Sequence, residues 1–135
     1  MKKSTIAAFL TIFLLTGCAR LARKSRIEAF GQVAEGYEHA LRFSDYNIAA
    51  KFLDPSAASV KPDLQALKNI KIVDYKITRI QVSEDKQQIT QDVELQYFRI
   101  NSNILHTARD SQIWRYDPAD EVWRLHTGLP RLGPR

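Results

Sequence analysis

The sequence predicts an α+β fold, three N-terminal helices packed on one curved antiparallel sheet of about four strands. Two observations carry this. Before Asn69 the apolar residues recur at helical spacing, and after it they alternate in β-branched, aromatic-rich runs separated by turn-forming clusters. Helices grouped ahead of strands imply layers rather than alternating βα units. A length of 135 residues suits one domain with one core.

The first seventeen residues stand outside that fold. Lys2 and Lys3 precede Ser4 to Thr16, an uncharged and mostly apolar run of thirteen residues. At 1.5 Å per residue it falls short of the roughly 20 residues that span a bilayer, and it has the proportions of a signal-peptide core. It ends in Leu15-Thr16-Gly17-Cys18. Residues 18–26 follow as a short tether in which Arg20, Arg23, Lys24 and Arg26 cluster. Such a stretch suits either anionic headgroups or a solvated linker.

From Ile27 the helical stripe is Ile27, Phe30, Ala34, Tyr37 and Leu41. Gly31 and Gly36 weaken this helix by about 1 kcal/mol each relative to Ala, which a close helix–sheet contact would justify. Ser44 or Asp45 caps a second helix with Ile48, Ala49, Phe52 and Leu53 inward, stopped by Asp54-Pro55. Ser56 to Lys61 carries no clear signal. Pro62 and Asp63 open a third helix through Lys68, facing Leu64 and Leu67 inward.

Lys71 to Val82 is the first strand. Val73, Tyr75 and Ile77 share one parity and Ile80 and Val82 the other, so a bulge near Thr78 is required. Ser83 to Lys86 turns the chain into Ile89–Ile100, whose Ile89, Gln91, Val93, Leu95 and Tyr97 line one face. Asn101 to Asn103 leads to Ile104–Tyr116, and Asp117 to Asp120 to a last strand, Glu121–Thr127. The domain closes near Pro130, and residues 131–135 form a short loose tail.

Charge and cysteine content exclude some functions. Six of the twenty basic residues precede Ile27, so residues 27–135 hold fourteen basic against fifteen acidic side chains. That near-neutral domain lacks the basic surface a nucleic-acid binder needs. Cys18 is the lone cysteine, and His39, His106 and His126 are too dispersed to suggest a metal motif. Each histidine reads as a surface or hydrogen-bonded side chain, and no metal or cofactor is implied.

His106, Asp110, Gln112, Trp114 and Tyr116 share one face of the third strand. There Asp110 can form an acid–base pair with His106, with Tyr37 and Tyr97 as further pocket residues. The competing reading is an ion pair of Asp110 and Arg109 on a solvated sheet edge, and Asp92 is similarly placed. Trp114, Tyr116 and Trp123 straddle the last turn. They either pack across the hairpin or, with Phe98, offer an aromatic contact to a partner.

Two resemblances extend this reading. Leu15-Thr16-Gly17-Cys18 resembles the lipobox of bacterial lipoproteins. That resemblance implies cleavage between Gly17 and Cys18, diacylglycerol on the Cys18 thiol and acylation of the new N-terminus. With Ala19 after the cysteine it implies the outer membrane, the domain facing the periplasm. Tyr37-x3-Leu41, Ser44-Asp45-Tyr46, Ala49-Ala50-x-Phe52-Leu53-Asp54-Pro55, Trp114-x-Tyr116 and Trp123 together resemble the NTF2-like (SnoaL-like) superfamily of cone-shaped domains over most of residues 27–130. Between Pro55 and Pro62 the chain is shorter than the first hairpin of the fullest members, which leaves the closure of the cone open. The family includes enzymes, transport adaptors and assembly modules, and fold does not choose among them. The expectation is a membrane-anchored, non-enzymatic module that contacts an envelope protein. The alternatives are binding of a small apolar ligand, or catalysis in an Asp/Tyr/His-lined cone.

Overall fold

A single helix, α1 (Ser4–Arg42), runs from the N-terminal apolar segment into the domain in the computed structural model, which describes residues 4–56 and 63–133. The helix expected to begin at Ile27 therefore starts well upstream, and the basic stretch 18–26 is helical. No proline interrupts Ser4 to Arg42, and Ala19 to Lys24 are nearly all strong helix formers. One glycine at Gly17, at about 1 kcal/mol, is too little to break the run. Among the described residues no helix is long and apolar enough to cross a membrane. Lys2, Lys3, Pro62 and the last two residues of the tail lie outside the described residues.

Within the domain α1 buries the predicted stripe, with Phe30, Tyr37 and Leu41 inside and Ile27 and Ala34 partly covered. Both ends of this stretch are pinned to the sheet. The Trp123 Nε1–H donates to the Arg26 carbonyl at 2.9 Å, and the Lys71 ammonium donates to the Arg42 carbonyl at 2.9 Å. The glycines do not mark a close helix–sheet contact. A Cβ at Gly31 would meet nothing within 4 Å, and one at Gly36 would lie 3.3 Å from Phe52 Cζ.

Helix α2 (Tyr46–Ala50) is capped by Asp45, whose Oδ1 accepts from the Ile48 N–H at 3.2 Å. It buries Tyr46 and Ala49 and leaves Ile48 exposed, contrary to expectation. The Tyr46 hydroxyl donates to the Ile70 carbonyl at 2.8 Å, so a polar tip that needs a partner turns that face inward. Helix α3 (Leu64–Leu67), capped by Asp63, buries Leu67.

The sheet consists of β1 (Ile70–Val82), β2 (Gln88–Arg99), β3 (His106–Asp117) and β4 (Val122–Leu125), antiparallel in the order β1-β2-β3-β4. Strand β2 alternates as predicted, with Ile89, Gln91, Val93, Leu95 and Tyr97 all buried. Strand β1 breaks register at Thr78, as expected, and also at Val73. The extra bulge puts Ile72 and Tyr75 in the core and leaves Val73 exposed. After Thr78 the inward side resumes with Ile80 opposite Gln91 and Val82 opposite Ile89, and Ile77 faces Val93. These three inner-face side chains are nonetheless about half exposed, because the lower part of β1 lies beyond the cover of α1.

At the other edge, a parallel bridge joins Leu53 to Leu125. It is flanked by Leu125 N–H to Phe52 O at 2.8 Å and Asp54 N–H to Leu125 O at 2.9 Å. The segment after α2 thus extends β4's side of the sheet. The described part of the tail, residues 131–133, is not loose. Leu129 and Leu132 are buried, and the Gly133 N–H donates to the Tyr97 hydroxyl at 3.3 Å.

Candidate functional site

The inner face of the sheet carries polar residues where strand alternation demands apolar ones. Gln91 of β2 and Gln112 of β3 face each other across the ladder, both buried. The Gln112 Oε1 accepts from Gln91 Nε2 at 2.7 Å, Trp114 Nε1 at 3.1 Å and the Tyr75 hydroxyl at 3.2 Å. The Gln91 Nε2 also donates to the Tyr75 oxygen at 3.2 Å, and Gln112 Nε2 donates to Asp110 Oδ2 at 2.8 Å. One connected network therefore links β1, β2 and β3 beneath α1.

Two atoms of this cluster lack partners. The Tyr37 hydroxyl and Gln91 Oε1 are buried with no hydrogen bond, in residues 0% and 1% exposed. Each such orphan costs about 1–3 kcal/mol. The Tyr37 ring packs edge-on to Trp114 at 5.3 Å and to Phe52 at 5.9 Å, so the hydroxyl is held in place.

Burial dominates the electrostatics. Desolvation, with the nearby Asp110 charge second, raises the Tyr37 hydroxyl well above its ordinary value. Burial likewise raises Tyr75, opposed by its bond to Gln112. Asp110 is raised by burial, against the lowering effect of the Gln112 amide. With their pKa values raised, both phenols keep their protons and act as donors.

The anticipated acid–base pair does not form. His106 lies exposed at the far end of β3, stacked on Tyr97 with centroids 5.3 Å apart. Four residues of strand separate it from Asp110, about 13 Å. Sharing a face did not mean being in contact. The alternative reading of Asp110 fails as well, because β3 is an interior strand and Asp110 points inward while Arg109 points out. Asp92 is the surface residue of the set, 3.4 Å from Arg79 and accepting from the Ser111 hydroxyl at 2.7 Å.

The aromatic partner surface is corrected too. Trp114 and Trp123 are 0% and 3% exposed, joined by Phe30, which meets their rings edge-on at 5.8 and 5.2 Å. The pair across the last hairpin is Tyr116 with Trp123, and the half-buried Tyr116 lies under the Arg26 guanidinium at 4.5 Å. Phe98 is half-buried on the outer face opposite Lys71. His39 stacks on Phe43, and His126 Nε2 sits 2.9 Å from Asp54 Oδ2. Cys18 is exposed on α1, directly after Gly17.

No protein-family model and no curated protein matches the chain. Among solved structures it is similar to a proposed dehydratase of the NTF2-like family from Streptomyces avermitilis. The TM-score is 0.51 at 12% identity, covering 78% of this chain and 93% of that one. A likeness at that identity reports on architecture and leaves chemistry open. Helices on one face of a four-stranded antiparallel sheet, together with this match, give the domain the NTF2-like fold.

Proposed function

We propose that the chain is a binding protein, carried on a membrane by an acylated Cys18, whose concave face receives a small and largely apolar ligand with one hydrogen-bonding group. The observation that carries this is the pair of orphaned atoms, Tyr37 Oη and Gln91 Oε1, set among aromatic and aliphatic side chains. A hydroxyl donor is complementary to a ketone or an amide carbonyl, and a carbonyl acceptor to an alcohol or an amide N–H. Apolar walls with few polar groups are the usual composition of such sites. No side chain in the cluster supplies a nucleophile paired with a base, which supports binding over catalysis.

The test is thermal denaturation of wild type and Tyr37→Phe with short-chain ketones, alcohols and amides. Some of these should raise the wild-type midpoint and leave the variant's unchanged. The variant alone should be more stable by about 1 kcal/mol, because an unpaired buried hydroxyl is gone. Stabilisation that is absent, or identical in both proteins, would rule out this site.

A second reading, contact with an envelope protein, is favoured by the half-exposed Ile77, Ile80 and Val82 on the uncovered inner face of β1. Anchoring at the outer membrane rests on the Leu-Thr-Gly-Cys sequence and Ala19. Intact-mass measurement of the membrane-expressed protein should show a cleaved, acylated species that Cys18→Ala fails to produce. A wild type at the unmodified precursor mass would remove the anchor.

A further inference from the structure

Where β1 begins and β2 ends, a cleft of about 350 Å³ is lined by Asn69, Ile70, Arg99, Asn101 and Ser102. It lies at the opposite end of β2 from Gln91, eight residues and about 26 Å away. Its size is at the lower end of small-molecule sites. Arg99 is the one charged side chain in the lining. It is only partly exposed, and among the described residues it makes no ion pair and donates no hydrogen bond. A half-buried guanidinium whose donors meet no partner among the described residues favours a bidentate anionic acceptor.

The surroundings are ordered around that group. The Ile100 N–H donates to Asn69 O at 2.9 Å, and the Ser102 N–H donates to Arg99 O at 2.8 Å. The Ser102 Oγ accepts from the Ile104 N–H at 3.3 Å, which leaves its hydroxyl hydrogen to donate. The tail passes over the guanidinium at Gly133, where φ is +122° and a Cβ would sit 3.5 Å from Arg99 Nη2. Ile70 supplies a buried apolar wall. Ile100, Ile104 and Leu105 stand 61%, 63% and 56% exposed in the same loop. These three lie outside the cleft's own lining, in the loop that carries Asn101 and Ser102, and a loop with both apolar and anion-seeking groups selects a ligand that has both characters.

The geometry points to this cleft as a second binding site, one for an organic monocarboxylate with a short apolar tail. One guanidinium balances one negative charge, and among the described residues no second cation lines the cleft to neutralise a dianion such as phosphate. The carboxylate takes the Arg99 fork, assisted by the Ser102 hydroxyl and the Asn101 amide, and the tail lies along Ile100, Ile104 and Leu105.

Titration of the full chain with octanoate and with octanol, followed by backbone and guanidinium NMR shifts, tests the assignment. Octanoate should bind at least about tenfold more tightly, with shifts centred on Arg99, Asn101 and Ser102. Arg99→Gln should bring octanoate down to the level of octanol. Asn101→Asp, an exposed loop change that leaves the core intact, should weaken octanoate by charge repulsion and spare octanol. Tyr37→Phe should leave octanoate binding and its shifts at Arg99 unaltered, which separates this site from the concave one. Equal affinity for the two ligands, or a preference for octanoate that survives Arg99→Gln, would overturn the proposal. So would shifts centred elsewhere.

Discussion

Gln112 accepts three hydrogen bonds at one carbonyl oxygen and spends its amide on Asp110, so the protonation of Asp110 is tied to the stability of the whole inner face. Burial raises the folded-state pKa of that carboxyl. Its contribution is therefore fully present below the ordinary carboxylate range and is lost as pH rises through the raised folded value. Asp54 has the opposite sign. The Ser56 hydroxyl, assisted by the His126 charge, lowers its pKa, so its contribution exists above the ordinary range and is lost as pH falls through the lowered value. Asp110→Asn keeps an acceptor for Gln112 and removes the charge. It should be more stable than wild type in urea near pH 7, with the difference shrinking towards about pH 4. The two tryptophans should each matter in the same assay, Trp114→Ala and Trp123→Ala costing about 3–5 kcal/mol, because both rings are buried around Phe30. A role for the tryptophans in packing was legible in the sequence. The inner-face network was not, although Gln91 and Gln112 on apolar parity were its visible signal. A polar residue at a buried strand position says only that a partner exists, and for Gln91 those partners came from β1 and β3, brought together by register.

At the scale of elements, legibility followed how strictly each segment kept one period. Strand β2 alternates without a break, and every inward position was correct. Strand β1 carries two bulges, and only the one at Thr78 left a mismatch between two apolar sets. The bulge at Val73 hid itself, because Ile72 and Val73 are equally apolar. The start of α1 was missed since a helix former and a tether residue can be the same amino acid. The charge of Arg20, Arg23 and Lys24 suggests a tether, while their propensity carries the helix through it. The helix also gives a sharp comparison. Gly31→Ala adds a methyl into open space and should stabilise by about 0.5–1 kcal/mol in urea titrations. Gly36→Ala should gain less or lose, because its Cβ would press on the Phe52 ring at 3.3 Å.

Over the whole molecule, both chain-terminal segments are bound into the sheet: α1 at Arg26 through Trp123, and the tail at Gly133 through Tyr97. Truncation after Gly128 should accordingly be costly. Leu129 and Leu132 each bury a side chain worth about 1.5–3 kcal/mol, and the shortened protein should unfold at clearly lower urea. An unchanged midpoint would mean that the tail contributes nothing to the core. The two irregularities of β1 have a consequence for neighbours as well. This strand is a thirteen-residue outer edge bearing exposed Ile77, Ile80 and Val82, the kind of segment on which other copies could stack into fibres. An incoming flat strand would lose step at Val73 and again at Thr78, and it would meet Asp74 and Lys76 in between, with Lys71 and Arg79 on either side. Neighbouring copies of the domain are thereby kept from zipping together along their edges.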